Sequence, residues 1–520
     1  MAEKRIEPPF FPIIYVRGYA GTDAEVEATV ADPYMGFNLG ATKLRKRWTG
    51  AVEKHFFESA LVRLMKDHDY HDVYKVGSNM PPELAVGPRS IVIYRYYDQV
   101  SEAFGEGKRV AIEDFARGLN DLVLKLRDRV RETCDNPDDF RVYLVGHSMG
   151  GLVIRAFLQN DAIGKAETKK LVDKVFTYAT PHNGIEAAII GNVPGFFSAN
   201  NANNFNRARM AEYLGLPPGT EPVNTLNGRF DADRFFCLIG TDAKDYAAGW
   251  SARLVGPFSD GLVRINNAFV TGPTEDPKQP VTLAPRAYVY RSHSGPFGIV
   301  NSEEGYQNLM RFLFGDVRVD GHLEVARITL PPEVEAARRE GKEIRASYDF
   351  EAVVGVRGAS WDLSRRLVAE NSSVFRRYGE LFPEKKLEGD RPFVARPQLF
   401  TAFLSAAARV KADRHSLGFA IDLGVQVPDY EVDGVLWLDQ HYPGGYIFRD
   451  KITLEAIPPQ AADAPWRLLY GFDSETPNHC AHEAERRDGD GFVAFSIPVV
   501  RNADPGIEAA LVLTARPWNH

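Results

Sequence analysis

Gly146, Ser148 and Gly150 lie in the stretch Phe140 to Leu158, FRVYLVGHSMGGLVIRAFL, at the spacing of a serine hydroxyl raised for attack. The apolar, β-branched run Val142 to Val145 reads as a buried strand. Leu152, Val153, Ile154, Phe157 and Leu158 read as the apolar face of a helix that follows at once. A serine at so sharp a turn takes a strained backbone that lifts its Oγ clear of the sheet edge. The flanking glycines leave room where strand and helix pass closely. A serine that merely caps a helix could share the G-x-S-x-G spacing, so the strand and helix on either side carry the assignment.

A neutral hydroxyl needs a base within hydrogen-bond reach, itself oriented by a carboxylate. In strand–helix folds with this elbow, the chain order is nucleophile, acid, histidine, with the last two on loops after late strands. Ser148, Asp260 and His293 satisfy that order. Asp260 sits in Ser259-Asp260-Gly261-Leu262-Val263, and His293 follows the strand candidate Arg286 to Tyr290. Asp242, directly after the strand candidate Arg234 to Gly240, stays open as a competing acid. His182 precedes every candidate acid, the wrong order for the base. His147 adjoins the nucleophile and is expected to face away from it, in packing or turn stabilisation. One backbone N–H of an oxyanion hole is expected from Tyr19, in the glycine turn Arg17 to Thr22, and the other from Met149.

Other elements must hold these residues in place. Phe11 to Val16, Ile91 to Tyr94 and Lys174 to Tyr178 read as further strands. Val52 to Met65, and a longer segment from Ile112 to Val130, carry apolar residues at helical spacing. Strands alternating with helices predict an α/β architecture, a mostly parallel sheet with helices on both faces. Gly184 to Gly228 breaks that rhythm with Phe196 and Phe197, an asparagine cluster and several prolines. It is expected to form a cap or lid, with Phe196, Phe197 and His182 as candidate pocket residues, or else to cover the sheet without a role in binding.

The motifs Gly18-Tyr19-Ala20-Gly21-Thr22, Gly146-His147-Ser148-Met149-Gly150-Gly151 and Ser259-Asp260-Gly261-Leu262-Val263, in that order, resemble the bacterial triacylglycerol lipases and related α/β-hydrolase esterases. The resemblance covers Pro12 to about Asp316. It implies a serine carboxylic-ester hydrolase acting through an acyl-enzyme on an ester or lipid substrate. An acyltransferase using the same triad, and a silent hydrolase fold used for binding, stay open. Those lipases usually carry histidine where this chain has Arg17, which places the support of the oxyanion loop in question. Some bind calcium through an aspartate soon after the catalytic histidine. Here Ser294-Gly295-Pro296-Phe297 follows His293, so the calcium is not carried over.

From about Val317 the alternation gives way to short β-rich runs, among them Leu323 to Leu330, Ala346 to Val356, Gly418 to Val427, Gly434 to Leu438 and Ala509 to Ala515. An antiparallel β-sandwich is expected over 317–520, following a catalytic domain over 1–316. This second domain is expected to meet a lipid interface or to mediate self-association. His479, Cys480, His482 and Glu483 lack a second cluster at metal-ligand spacing, so no metal and no cofactor is expected. The net charge of -8 argues against a nucleic-acid partner. Three scattered cysteines imply no disulfide framework. With neither a signal-peptide pattern nor a membrane-length apolar run, a cytoplasmic location is expected by default.

Overall fold

Seven strands, β1 (Ile13–Val16), β2 (His71–Asp72), β3 (Ser90–Tyr94), β4 (Val142–His147), β5 (Val172–Tyr178), β6 (Phe235–Gly240) and β7 (Arg286–Val289), form one sheet in the order β7-β6-β5-β4-β1-β3-β2. Every pairing in it is parallel. Consecutive residues of β1, β4 and β6 are buried, so both faces are covered; that is why these strands read as continuous apolar runs. The chain leaves β1 toward β2 and β3, and leaves β4 toward β5. Neighbouring strands whose connections depart in opposite directions open a crevice at their carboxyl ends, where ligands of such sheets bind. The sheet and its crevice are those of the α/β-hydrolase fold.

The computed structural model describes every residue except 1–4, 19–22, 47–49, 108–109, 187–202, 245–254, 274–281, 296, 384–386, 389–390, 409–415, 433–439, 460–463 and 520. The chain divides into two compact units, Met1–Phe314 and Gly315–His520.

In the first unit the main helices are α1 (Ala60–His68), α2 (Ile112–Arg131), α3 (Met149–Gln159), α4 (Arg207–Tyr213) and α5 (Glu303–Phe314). α2 buries Ile112, Phe115, Leu119, Val123, Leu126 and Val130 along one face, as its spacing predicts. α3 is buried along its whole length, including Arg155. That guanidinium donates to the carbonyls of His182 (2.7 Å), Val223 (2.7 Å) and Thr225 (3.0 Å), which ties the segment after β5 to the elbow helix. Burying it with every bond directed at a fixed acceptor avoids the large cost of an unpaired charge.

The helix expected over Val52 to Met65 is corrected. Val52–Phe57 is a strand paired with Ala41–Lys46, and the helix begins only at Ala60. Ser59 sets that start, because its Oγ accepts the Val62 N–H (3.2 Å) as an N-cap and its own backbone is not helical.

The second unit is a sandwich of antiparallel sheets. Its strands are β8 (Val317–Ile328), β9 (Ile344–Val356), β10 (Gln398–Leu404), β11 (Leu417–Val432), β12 (Gln440–Ile457), β13 (Arg467–Phe472), β14 (Glu485–Gly489), β15 (Phe492–Arg501) and β16 (Ile507–Pro517). One sheet runs β10-β8-β16-β15-β14. The other contains β9-β11-β12-β13, with short strands at its edges. Leu323, Leu399, Ile497 and Leu511 from the first meet Phe350, Val354, Ile421 and Leu454 from the second in one apolar core. The strand expected at Gly434 to Leu438 lies outside the described residues. Among the described residues, no group of three or more His, Cys, Asp or Glu could hold a metal ion, and no helix is long and apolar enough to cross a membrane.

Candidate active site

Ser148 is the residue at which β4 turns into α3, with φ 51° and ψ -125°. A non-glycine residue here is strained, and it is held by its main chain: its N–H donates to the Tyr178 carbonyl (3.0 Å), and its own carbonyl accepts from Thr180 Oγ1 (2.9 Å). Gly150 is required because a Cβ there would collide with the carbonyl oxygen of Val16. At Gly18 a Cβ would stand 2.5 Å from Ser148 Cβ. The end of β1 and the elbow are therefore packed backbone against backbone.

Two other loops reach the same point. His293 Nε2 lies 3.0 Å from Ser148 Oγ, and His293 Nδ1 lies 2.9 Å from Asp260 Oδ2. All three side chains are buried. The second carboxylate oxygen of Asp260 accepts the backbone N–H groups of Leu262 (2.9 Å) and Val263 (2.7 Å), so a local turn orients the acid. The backbones are joined as well, His293 N–H donating to the Asp260 carbonyl (2.9 Å). A carboxylate at Nδ1 keeps the proton on that nitrogen and leaves Nε2 to accept from the hydroxyl.

Behind the histidine, Arg291 and Glu304 form a buried ion pair, 1% and 6% exposed, with Nη2 at 2.8 Å and Nε at 3.2 Å from Glu304 Oε2. It fastens the histidine loop to the first turn of α5. Sequence reading missed it, since Arg291 sits unremarked at the end of a strand and Glu304 looks like an ordinary acid at a helix start. His147 does more than pack: its ring lies 5.2 Å from that of His293 and its Nε2 lies 3.1 Å from the His293 carbonyl. A carbonyl can only accept, so Nε2 carries the proton. Burial, with His293 and Arg17 close by, holds this imidazole well below the usual histidine range, in the neutral form that the bond needs.

Tyr19 lies outside the described residues. The residues just before it are pinned: Tyr96 OH donates to the Arg17 carbonyl (2.5 Å) and Tyr97 OH to the Gly18 carbonyl (2.8 Å), while the Arg17 guanidinium donates to the Met35 carbonyl. Arg17 and Gly18 are thus held by two tyrosines and by the Arg17 side chain. Met149 opens α3, so its N–H belongs to the first turn and has no carbonyl within the helix to bond.

The remaining candidates lie elsewhere. Asp242 is buried, its Oδ1 accepting from the Lys244 N–H (3.0 Å), whereas the carboxylate at His293 Nδ1 is that of Asp260. His182 is fully buried against the Phe235 ring, with Nε2 3.1 Å from Thr177 Oγ1. Phe196 and Phe197 lie outside the described residues.

The sheet and the elbow are those of the α/β-hydrolase fold. Residues 110–213, from α2 through the elbow to α4, match the family model described as a PGAP1-like alpha/beta domain. Among solved structures, the chain is similar to the mature form of the Bacillus licheniformis lipase BlEst2, at 14% identity and a TM-score of 0.33, covering 60% of this chain and 96% of that one. The propeptide form gives 10% identity and a TM-score of 0.31, covering 89% and 97%. A Tle4-Tli4 complex gives 14% and 0.18, covering 44% and 57%. No curated protein matches the sequence.

Proposed function

We propose that this protein is a serine carboxylic-ester hydrolase of lipase or esterase type, with Ser148 as nucleophile, His293 as general base and acid, and Asp260 as the residue that orients the imidazole and stabilises its charged form. What carries this reading is the unbroken relay from Ser148 Oγ through His293 (3.0 Å) to Asp260 (2.9 Å), made by residues from three distant parts of the chain. His293 takes the hydroxyl proton as Ser148 attacks the ester carbonyl, and the amides of Tyr19 and Met149 receive the oxyanion. The imidazolium then protonates the departing alcohol. Water, activated by the same Nε2, attacks the acyl-enzyme and releases the acid, regenerating Ser148. Asp260 holds the imidazole in place and stabilises the transient imidazolium.

In this reading the residues up to about 316 carry catalysis, with 184–228 as the cap over the acyl pocket, and 317–520 form an accessory domain. An alkyl fluorophosphonate tests it: the native protein should be labelled at Ser148, and Ser148→Ala should not. Absence of labelling in folded native protein would overturn the reading. Rates on p-nitrophenyl esters from acetate to palmitate separate lipase from small-ester hydrolase, and a sharp fall beyond butyrate would exclude the former.

A further inference from the structure

The two sheets of the β-sandwich do not close at one end. A cavity of about 460 Å³ lies between them, walled by Val319 and Leu513 of one sheet and by Leu417, Phe419 and Leu468 of the other, with Trp466 and Phe492 also lining it. Packed interiors hold few voids larger than a water molecule, whereas ligand pockets run to about 300–1,000 Å³, so this space has the size of a binding site. Phe492, 42% exposed, and half-buried Trp466 add aromatic surface to its lining.

The wall decides the chemistry of what fits. No serine, threonine, asparagine, glutamine, histidine or tyrosine side chain is among the described residues lining it. Its charged groups already have partners: Arg486 with Asp488 (2.5 Å), Arg516 with Asp320 (3.6 Å), and Asp316 with the Ala406 N–H (2.6 Å). Along the apolar part of this wall a sugar, nucleotide or peptide would lose hydrogen bonds to water and find no uncharged polar side chain to replace them. A hydrocarbon loses nothing. We infer that this cavity is a binding site for a single aliphatic chain, such as the acyl chain of a lipid or of a free fatty acid. The site stands apart from the proposed triad chemistry and survives the loss of Ser148.

The test uses the full chain carrying Ser148→Ala, with fatty acids brominated near the chain terminus, because bromine quenches only indoles that it contacts. Saturable quenching is expected, and Trp466→Phe should remove it although the chain holds six tryptophans. With n-alkanoic acids of increasing length competing, each further buried methylene should tighten binding about fourfold, equivalent to about 0.8 kcal/mol, until the cavity is full. Ala456→Phe and Ala515→Phe, each filling the cavity from a half-buried alanine, should weaken binding at least tenfold. Two different fillings guard against one variant failing to fold. Quenching unchanged by Trp466→Phe, or binding unchanged in a folded filling variant, would overturn the proposal. Free acid and phospholipid vesicles, each brominated and assayed separately, identify the source of the chain; quenching by neither also overturns it.

Discussion

Replacing Asp260 with asparagine should abolish nearly all activity while leaving the fold intact, and the structure states why. Asp260 Oδ1 accepts two backbone N–H groups, from Leu262 at 2.9 Å and Val263 at 2.7 Å, which only an oxygen can satisfy. An asparagine must therefore turn its carbonyl oxygen to that side and its NH2 toward His293 Nδ1, now 2.9 Å from Oδ2. An amide N–H there can only donate, so Nδ1 must become the acceptor and the imidazole proton moves to Nε2. Nε2 then faces Ser148 Oγ with a proton of its own, and the base is gone. A triad forced into this wrong tautomer loses about 10⁴ in kcat, equivalent to about 5.5 kcal/mol of transition-state stabilisation. The assay is turnover of a soluble p-nitrophenyl ester beside the rate of fluorophosphonate inactivation, with thermal unfolding as the control. Both rates should fall together, with little change in KM. A loss of less than tenfold in a folded variant would refute the assignment of the acid, and a comparable loss in Asp242→Asn would transfer it.

Other expectations follow from the same contacts. Glu304→Gln leaves Arg291 as a buried cation without its carboxylate and should cost about 3–5 kcal/mol in urea unfolding; a change under 1 kcal/mol would show that the pair does not hold the histidine loop. Gly18→Ala puts a methyl 2.5 Å from Ser148 Cβ, so kcat on a soluble ester should fall at least tenfold; unchanged turnover would show that the end of β1 can yield. Burial, opposed by nearby Asp173, lowers the Lys174 ammonium from its ordinary 10.5 to about 7. Between those values the unfolded chain binds the extra proton, so stability should rise as pH increases from about 7 toward 10.5. Lys174→Met should flatten that rise in melting temperature, and an equal slope in the variant would locate its origin elsewhere.

That Ser148, Asp260 and His293 meet was legible in the sequence because the fold constrains the order in which such residues occur. Once Ser148 is fixed by its strand and helix, an acid must precede a histidine on later loops, and only a few residues remain. What supports the triad was not legible. The bonds of Tyr96 and Tyr97 to the carbonyls of Arg17 and Gly18 join side chains to backbone across long stretches of chain, and nothing in residue type marks them. The hairpin at 41–57 was misread for a related reason. Val52, Phe56, Ala60, Leu61, Leu64 and Met65 are spaced as a helix, yet Phe56 is 73% exposed and its backbone is paired with residues upstream. Local periodicity cannot report a non-local pairing. In the sandwich the apolar runs marked parts of strands and not their full lengths: β11 extends from Leu417 to Val432, five residues beyond the run that ends at Val427, with a register shift against β12 between Val425 and Gln426.

The direct amide-to-carbonyl link between His293 and Asp260, with the tight turn at Asp260 itself, makes the acid's position independent of how much chain precedes it. The connection from β6 to β7 can then grow or shrink on either side of that anchored turn. Doubling such a loop costs only about 0.6 kcal/mol in closure entropy. The aim of the Asp260 carboxylate is thus set within a few residues of itself and owes little to the length of the connection that carries it.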